Sequence, residues 1–593
     1  MTEIQNPNQS GGGGHDSRTL LLFSVVFLLI FLALQYFAPK KTPAPAQQAP
    51  VTSAAPAESA PSTATASSHA AASPAPTTAA STVAAEQERT TVVENELYKI
   101  TFSNRGGQAI HWILKKYKDD QGKPLDLINH EAAVKYGYPL SLWTADAGLR
   151  NRLAQALFVP SATGNVTAPT ELTFTYSDGG IAIKKTFSFD SSYVVHAEVT
   201  ATDQGTPLTA LLAWPSGFGD EIALPDYAQG QLDTMQNGKS DVHAVKKVVD
   251  GATLNGPFDW AGVSDLYFGA VFLPDSPAQA TMVSLNKQIS VPRNPKEPQG
   301  QTYPAPILGA AVGVPGATSS VRLFVGPKVI DVLNSVRATG PDGAANGPSI
   351  EPILNFGFWG FISKPLFLGL RWVHEHVISN WGWAILVLTL VISMAMLPTR
   401  IKMMKSALKM QRIQPEMNAI KEKYKKYKAS DPRRADMNKE IFDLQKREGV
   451  NMFGGCLPML IQYPLLYGFY RMLGNVIELR QAHWYWLHNL ATPDPLHILP
   501  IFFIVTMFLV QYLTPSPGMD PTQQKMMAFT MPVFFGYMTW NLSSGLTLYW
   551  AFSNVINVVQ QAIMNRTSLG RQMRDVAAKR AAKRGGGRQM VRR

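Results

Sequence analysis

Two hydrophobic patterns divide this chain. Between about residues 86 and 350, apolar side chains alternate with polar ones over short stretches, whereas from about 353 to 564 they run together in long blocks. The alternation is clearest in Thr90–Val93, Tyr98–Phe102, Leu172–Tyr176, Ile181–Phe187 and Val194–Thr200, and a period of two predicts half-buried strands. Arg105-Gly106-Gly107 and Ser177-Asp178-Gly179-Gly180 supply turn signals between them. A mostly-β sandwich over 86–350 follows.

The blocks at 381–397, 454–474, 496–513, 526–543 and 546–564 approach the about 20 apolar residues that cross about 30 Å of hydrocarbon. An earlier one, Leu20–Phe37, is interrupted only by Ser24 and Gln35. It exceeds the about 7–15 residues of a signal-peptide core, which predicts a retained anchor over 20–38. The expected fold class is therefore a membrane α-helical bundle, five core helices plus an anchor, carrying a β-sandwich domain. Phe356–Val377 is rich in Phe, Trp and Leu but holds Lys364, Arg371, His374 and Glu375, which suits an amphipathic helix lying in the interface over 353–377. Thr42–Ala85 is almost wholly Ala, Pro, Ser, Thr and Val with Glu58 its one charge, a composition that predicts a disordered spacer over 39–85.

Charge matters here by position. The net +12 is concentrated in two places: fifteen Lys/Arg against seven Asp/Glu between Pro398 and Gly454, and ten against one from Asn565 to Arg593. Loop 475–495 has only Arg480 as a base. By the positive-inside rule the 398–453 segment and the 565–593 tail stay cytoplasmic, which puts residues 39–353 outside and 1–19 inside. Lys40 and Lys41 argue locally for the reverse, and the two larger clusters decide. The 398–453 segment looks like a helical hairpin, with Asp431 suited to an N-cap and Pro432 to the first helical position of its second arm. It is either a solvated basic surface near anionic lipid or a docking arm for a ribosome, a targeting receptor or an incoming chain.

Polar residues interrupt the crossings: Thr389 and Ser393, Gln462, Asn541, then Asn554, Asn557, Gln560 and Gln561 in 546–564. Polar groups at membrane depth face protein or a water-filled cavity, so several together predict a hydrated pocket. No cofactor, metal or catalytic grouping is expected. There is no phosphate-binding loop, and the lone Cys456 excludes an intrachain disulfide. His374 and His376 are two apart where zinc-protease helices need four. His111, His196 and His243 are scattered and read as surface or core histidines.

The segments Asn380-Trp381-Gly382, Asn451 to Pro458, Leu460-Ile461-Gln462-Tyr463-Pro464, Val476 to Arg480, Asp520 to Lys525, Ser544 to Trp550 and Ser553-Asn554 resemble the YidC/Oxa/Alb family of membrane insertases over about 355–565. The extra first helix and large exported domain are similar to the Gram-negative form, whose periplasmic domain is a β-supersandwich. The resemblance implies a non-enzymatic insertase and chaperone of the bacterial inner membrane. It would act on nascent membrane proteins alone or with the Sec translocon, through a polar groove open to cytoplasm and lipid. By position Thr389, Ser393, Gln462, Trp550 and Asn554 would belong to that groove, and Tyr463, Pro464 and Leu466 to a greasy slide. The family places an arginine five residues before the proline ending its second crossing. Counting back from Pro398 gives neutral Ser393. Arg471 is one candidate replacement, but it lies sixteen residues past Gly455, about 24 Å along a helix. The main competing class is a small-solute transporter, which would need a pathway open on both sides. An intramembrane enzyme would need paired catalytic groups in the crossings, which hold no aspartate and, apart from His497 at an edge, no histidine.

Overall fold

The computed structural model describes residues 82–576 except 120, 223, 294–296, 298, 428–430, 450–456 and 515–520. The expected anchor, most of the spacer, the motif around Cys456 and the end of the basic tail lie outside the described residues.

Alternating side chains form strands where the pattern predicts them. Strands β1 (Thr90–Glu94), β2 (Tyr98–Ser103), β3 (Gln108–Lys118) and β4 (Pro124–Asp126) build an antiparallel sheet, which Gly164–Thr167 extends by pairing parallel to β1. The hairpin Thr170–Asp178 and Ile181–Phe189 turns on Gly179 and Gly180, both at positive φ, the twist a tight hairpin requires. It belongs to a ten-stranded sheet, and a further five-stranded sheet centred on Thr302–Gly313 packs across that sheet's face. Trp260–Ser264 and Phe268–Pro274 are buried throughout. Being covered on both faces they show no alternation. Val83, assigned to the spacer by composition, instead bridges to Ser177, and the Ala85 N–H donates to the Leu157 carbonyl at 2.9 Å. Beside β4 sits a short helix, α1 (His130–Tyr136), capped by Asn129, whose side chain accepts from the Ala132 N–H.

The helical part comprises α2 (Gly360–His376), α3 (Trp381–Ala395), α4 (Leu397–Lys423), α5 (Arg433–Arg447), α6 (Leu457–Asn475), α7 (Ile498–Leu513), α8 (Pro521–Thr539) and α9 (Ser544–Arg566). Asn380 caps α3 by accepting the Trp383 N–H. Buried Asp494 opens α7 by accepting from the Leu496 and Leu499 N–H groups and from the Trp486 indole. Helix α9 packs on α7 and α3, α6 on α2, and α8 on α7.

Sequence blocks predict five separate crossings in this part. Among the described residues, however, no single helix is both long and apolar enough to cross a membrane by itself. Gly357–His376 with Trp381–Ala395 passes only as a pair bent by 119°, and Ile498–Leu513 is apolar but 16 residues long. Helices α3 and α7 are too short, and in the others the cause is polar content. Helix α6 carries Gln462, Arg471 and Asn475, α8 opens on Gln523-Gln524-Lys525, and α9 holds Asn554, Asn557, Gln560 and Gln561. The outward faces of α7 and α8 are nevertheless apolar: Ile501, Val505, Phe508 and Tyr512 of α7 and Phe529, Val533 and Tyr537 of α8 are exposed.

Helices α4 and α5 form the predicted hairpin around a buried seam of Ile413, Met417 and Leu444. Asp431 accepts the Arg433 N–H at 3.0 Å, but Pro432 rather than Asp431 occupies the N-cap position. Met573 packs on Met404 and Leu408, tying the start of the tail to the base of α4. The β-part joins the helices through Arg480, whose Nη1 lies 2.7 Å from Asp220 Oδ2, with both side chains under a tenth exposed.

Candidate functional site

Helices α3, α4, α6 and α9, with the end of α7, enclose a cavity of about 190 Å³. Two side-chain stripes build it. From α3 into α4 run Thr389, Ser393, Met396, Arg400 and Met403, and along α9 run Tyr549, Ser553, Asn557, Gln561 and Met564. Spacings of three and four put each set on one helical face. Gln462 of α6 completes the polar wall.

The polar groups here are only partly spoken for. The Thr389 hydroxyl turns back to donate to the Ile385 carbonyl at 2.6 Å, and Gln560 Nε2 donates to the Ser393 carbonyl at 3.3 Å, pinning α9 to α3. Asn557 Oδ1 is buried without a protein donor, so it can accept a hydrogen bond from whatever enters. Tyr549 is held flat against Phe469, ring centroids 4.0 Å apart. Among the described residues Arg400 supplies the single formal charge of the lining, and none of them there is acidic.

Three expected groove residues, Thr389, Ser393 and Gln462, line this cavity. The other two do not. Trp550 stacks on Phe503 at 5.4 Å, and Asn554 Nδ2 donates to Thr506 Oγ1 at 3.4 Å, so both face α7. A helix turns about 100° per residue, and neighbours of the lining positions Tyr549 and Ser553 are carried off its face. Of the expected slide residues, Tyr463 is exposed, while Pro464 and Leu466 are half-buried and Leu466 packs on the core. Arg471 does not reach the cavity: its Nε donates to the Phe356 carbonyl at 3.4 Å, and nearby Asn475 Nδ2 donates to the Asn355 carbonyl at 3.2 Å. Arg400, rather than Arg471, lines the cavity. It stands seven residues after Ser393, on the same face and about 10 Å along the axis. The stripe's continuation past Pro398 was the available signal.

The scattered histidines of the β-part each have an acidic partner. His196 Nε2 lies 3.1 Å from Asp275 Oδ2, His243 lies 3.4 Å from Asp241, and His111 meets Asp126 and His130. His374 stacks on Trp381 at 3.9 Å while His376 Nδ1 lies 3.1 Å from the Trp372 carbonyl, so the two rings diverge.

Comparison with known proteins matches both parts of the chain. The family described as YidC periplasmic domain covers residues 90–368, and that described as 60Kd inner membrane protein covers 372–571. The membrane protein insertase YidC of Geobacter metallireducens is 32% identical over 578 residues, 93% of this chain and 98% of that protein. That of Syntrophus aciditrophicus is 32% identical over 508 residues, 83% of this chain and 88% of that protein. A crystal structure of active YidC insertase with its first transmembrane domain resolved aligns with a TM-score of 0.33 at 17% identity, covering 82% of this chain and 94% of that one. The two family models and the relatives define an inner-membrane protein with a periplasmic-type β-domain ahead of a helical unit. The chain belongs to the YidC family of membrane protein insertases.

Proposed function

We propose that this chain is a non-enzymatic, multi-pass insertase and chaperone, and that the cavity between α3, α4, α6 and α9 transiently holds the polar segment of a nascent membrane protein. The observation that carries this is Arg400, a cation in a polar lining that holds no acidic side chain among the described residues. A charge in a confined space of low dielectric attracts opposite charge far more strongly than one in water. An acidic or hydrogen-bonding stretch of substrate would therefore enter, while its apolar helix leaves along exposed Tyr463 and the greasy faces of α7 and α8. The cavity would open to cytoplasm and lipid, with both termini cytoplasmic. The basic hairpin and tail would meet anionic lipid and the ribosome, and the Sec translocon would be a partner for larger substrates.

Reconstitution into liposomes tests this by scoring protease-protected insertion of a short single-span protein with an acidic leading segment. The native chain is expected to exceed empty vesicles, and Arg400→Gln to fall about tenfold, equivalent to about 1.4 kcal/mol. Ser393→Arg added to Arg400→Gln is expected to restore insertion. Undiminished insertion by Arg400→Gln would remove the cation from the mechanism. No insertion by the native chain would overturn the stand-alone activity.

A further inference from the structure

Far from the cavity, the β-part brings together three side chains that the sequence scatters. His111 lies on β3, Asp126 ends β4 and His130 opens α1. Antiparallel pairing of β3 with β4 sets Ile113 opposite Asp126, which brings His111 within reach of the carboxylate. His111 Nδ1 stands 2.7 Å and His130 Nε2 3.0 Å from the same oxygen, Asp126 Oδ2. The other oxygen, Oδ1, accepts the Trp112 and Ile128 N–H groups at 2.9 and 3.1 Å. The carboxylate is thus fixed by backbone and offers one free oxygen to both imidazoles. The two rings lie 4.8 Å apart, centroid to centroid. His111 and His130 also border a cavity of about 330 Å³ that Glu88, Gln108 and Tyr138 help line.

We propose that His111, Asp126 and His130 form a binding site for a divalent first-row transition ion, of which zinc is the best fit. Three ligand atoms within 4.8 Å of one another suit a single ion. Ligands about 2.0–2.2 Å from zinc sit about 3.3 Å from each other in a tetrahedron, so a small outward adjustment of each histidine admits the ion. Two imidazoles and one carboxylate favour zinc, copper or nickel over magnesium or calcium, which take oxygen ligands. With Oδ1 held by the backbone, Asp126 would bind through Oδ2 alone. The backbone bonds are the outer-shell support that orients a metal-binding carboxylate. The fourth position would face the adjoining cavity and take water or a donor group of a bound molecule.

The test uses the purified full chain without a histidine tag, in detergent, titrated with cobalt(II) as spectroscopic probe and with zinc in competition. The native chain is expected to show one saturable equivalent with the visible absorption of low-coordinate cobalt, displaced by zinc. Zinc should also raise its thermal midpoint, since an ion that binds only the folded form stabilises it. His111→Gln with His130→Gln should lose both effects. All three side chains are partly exposed (44%, 22% and 47%), so this variant keeps the fold, and its midpoint without metal checks that. Equal binding by native and doubly substituted chains, or no saturable binding by the native chain, would leave Asp126 as an ion-pair partner of two histidines and overturn the proposal.

Discussion

Lys185 lies fully buried in Ile181–Phe189, and its ammonium donates to the carbonyls of Gly106 and Gly107 at 2.8 Å and of Leu140 at 2.7 Å. Gly106 and Gly107 both sit at positive φ, which aims two successive carbonyls at one point. Replacing Lys185 with Met would strip three buried acceptors of their donor, at about 1–3 kcal/mol each where the group stays unsatisfied. The expected loss is about 3 kcal/mol, read as a lower denaturation midpoint. Nothing near Lys185 in sequence announces this, because its acceptors are 45 to 79 positions away. Arg400 was legible by contrast: Thr389, Ser393, Met396 and Arg400 repeat at helical spacing. Ending the helix at Pro398 hid the repeat, although proline is tolerated in the first turn of the helix that follows.

At the scale of elements, strands with one wet face declared themselves and buried ones did not. Phe268–Pro274 reads simply as an apolar run, and such a run does not distinguish strand from helix. Long apolar blocks located the helices within a few residues, yet counting them overstated how well each would span alone. Close approaches between elements were equally invisible. A Cβ at Gly382, in the first turn of α3, would overlap the Trp484 indole of the loop before α7. Gly382→Val is therefore expected to destabilise the detergent-solubilised protein by about 1–3 kcal/mol through overpacking. Gly474, whose Cβ would meet open space, serves as control, and Gly474→Ala should leave the thermal midpoint near native.

Across the whole molecule the buried Arg480–Asp220 pair is one of the contacts that join the β-part to the helical part, beside Arg371–Asp331. Removing one partner of a buried ion pair leaves the other charge uncompensated and costs about 3–5 kcal/mol, so Arg480→Ala should expose this junction to limited proteolysis. Beside it, burial first and the neighbouring Asp220 charge second push the Glu221 carboxyl well above its ordinary range. A carboxyl raised in the folded state holds its proton longer than in the unfolded chain. Its contribution to stability is full below about pH 4 and is lost as pH rises through the folded value. Glu221→Gln is expected to raise the thermal midpoint at about pH 8 and to change it little at about pH 4. Equal shifts at both pH values would refute the burial argument.

The break at Met396 has a mechanical consequence. Arg400 rides on the first turn of a 27-residue helix, about 6 Å from that break, while the far end of α4 lies about 40 Å from it. Were α4 to turn about Met396, it would act as a lever with Arg400 close to the pivot and the hairpin tip far from it. A load at the hairpin tip would then reach Arg400 multiplied about sevenfold and shortened in travel by the same factor. Whatever grips the tip therefore trades a wide swing for a small, forceful displacement of the cavity's one charge.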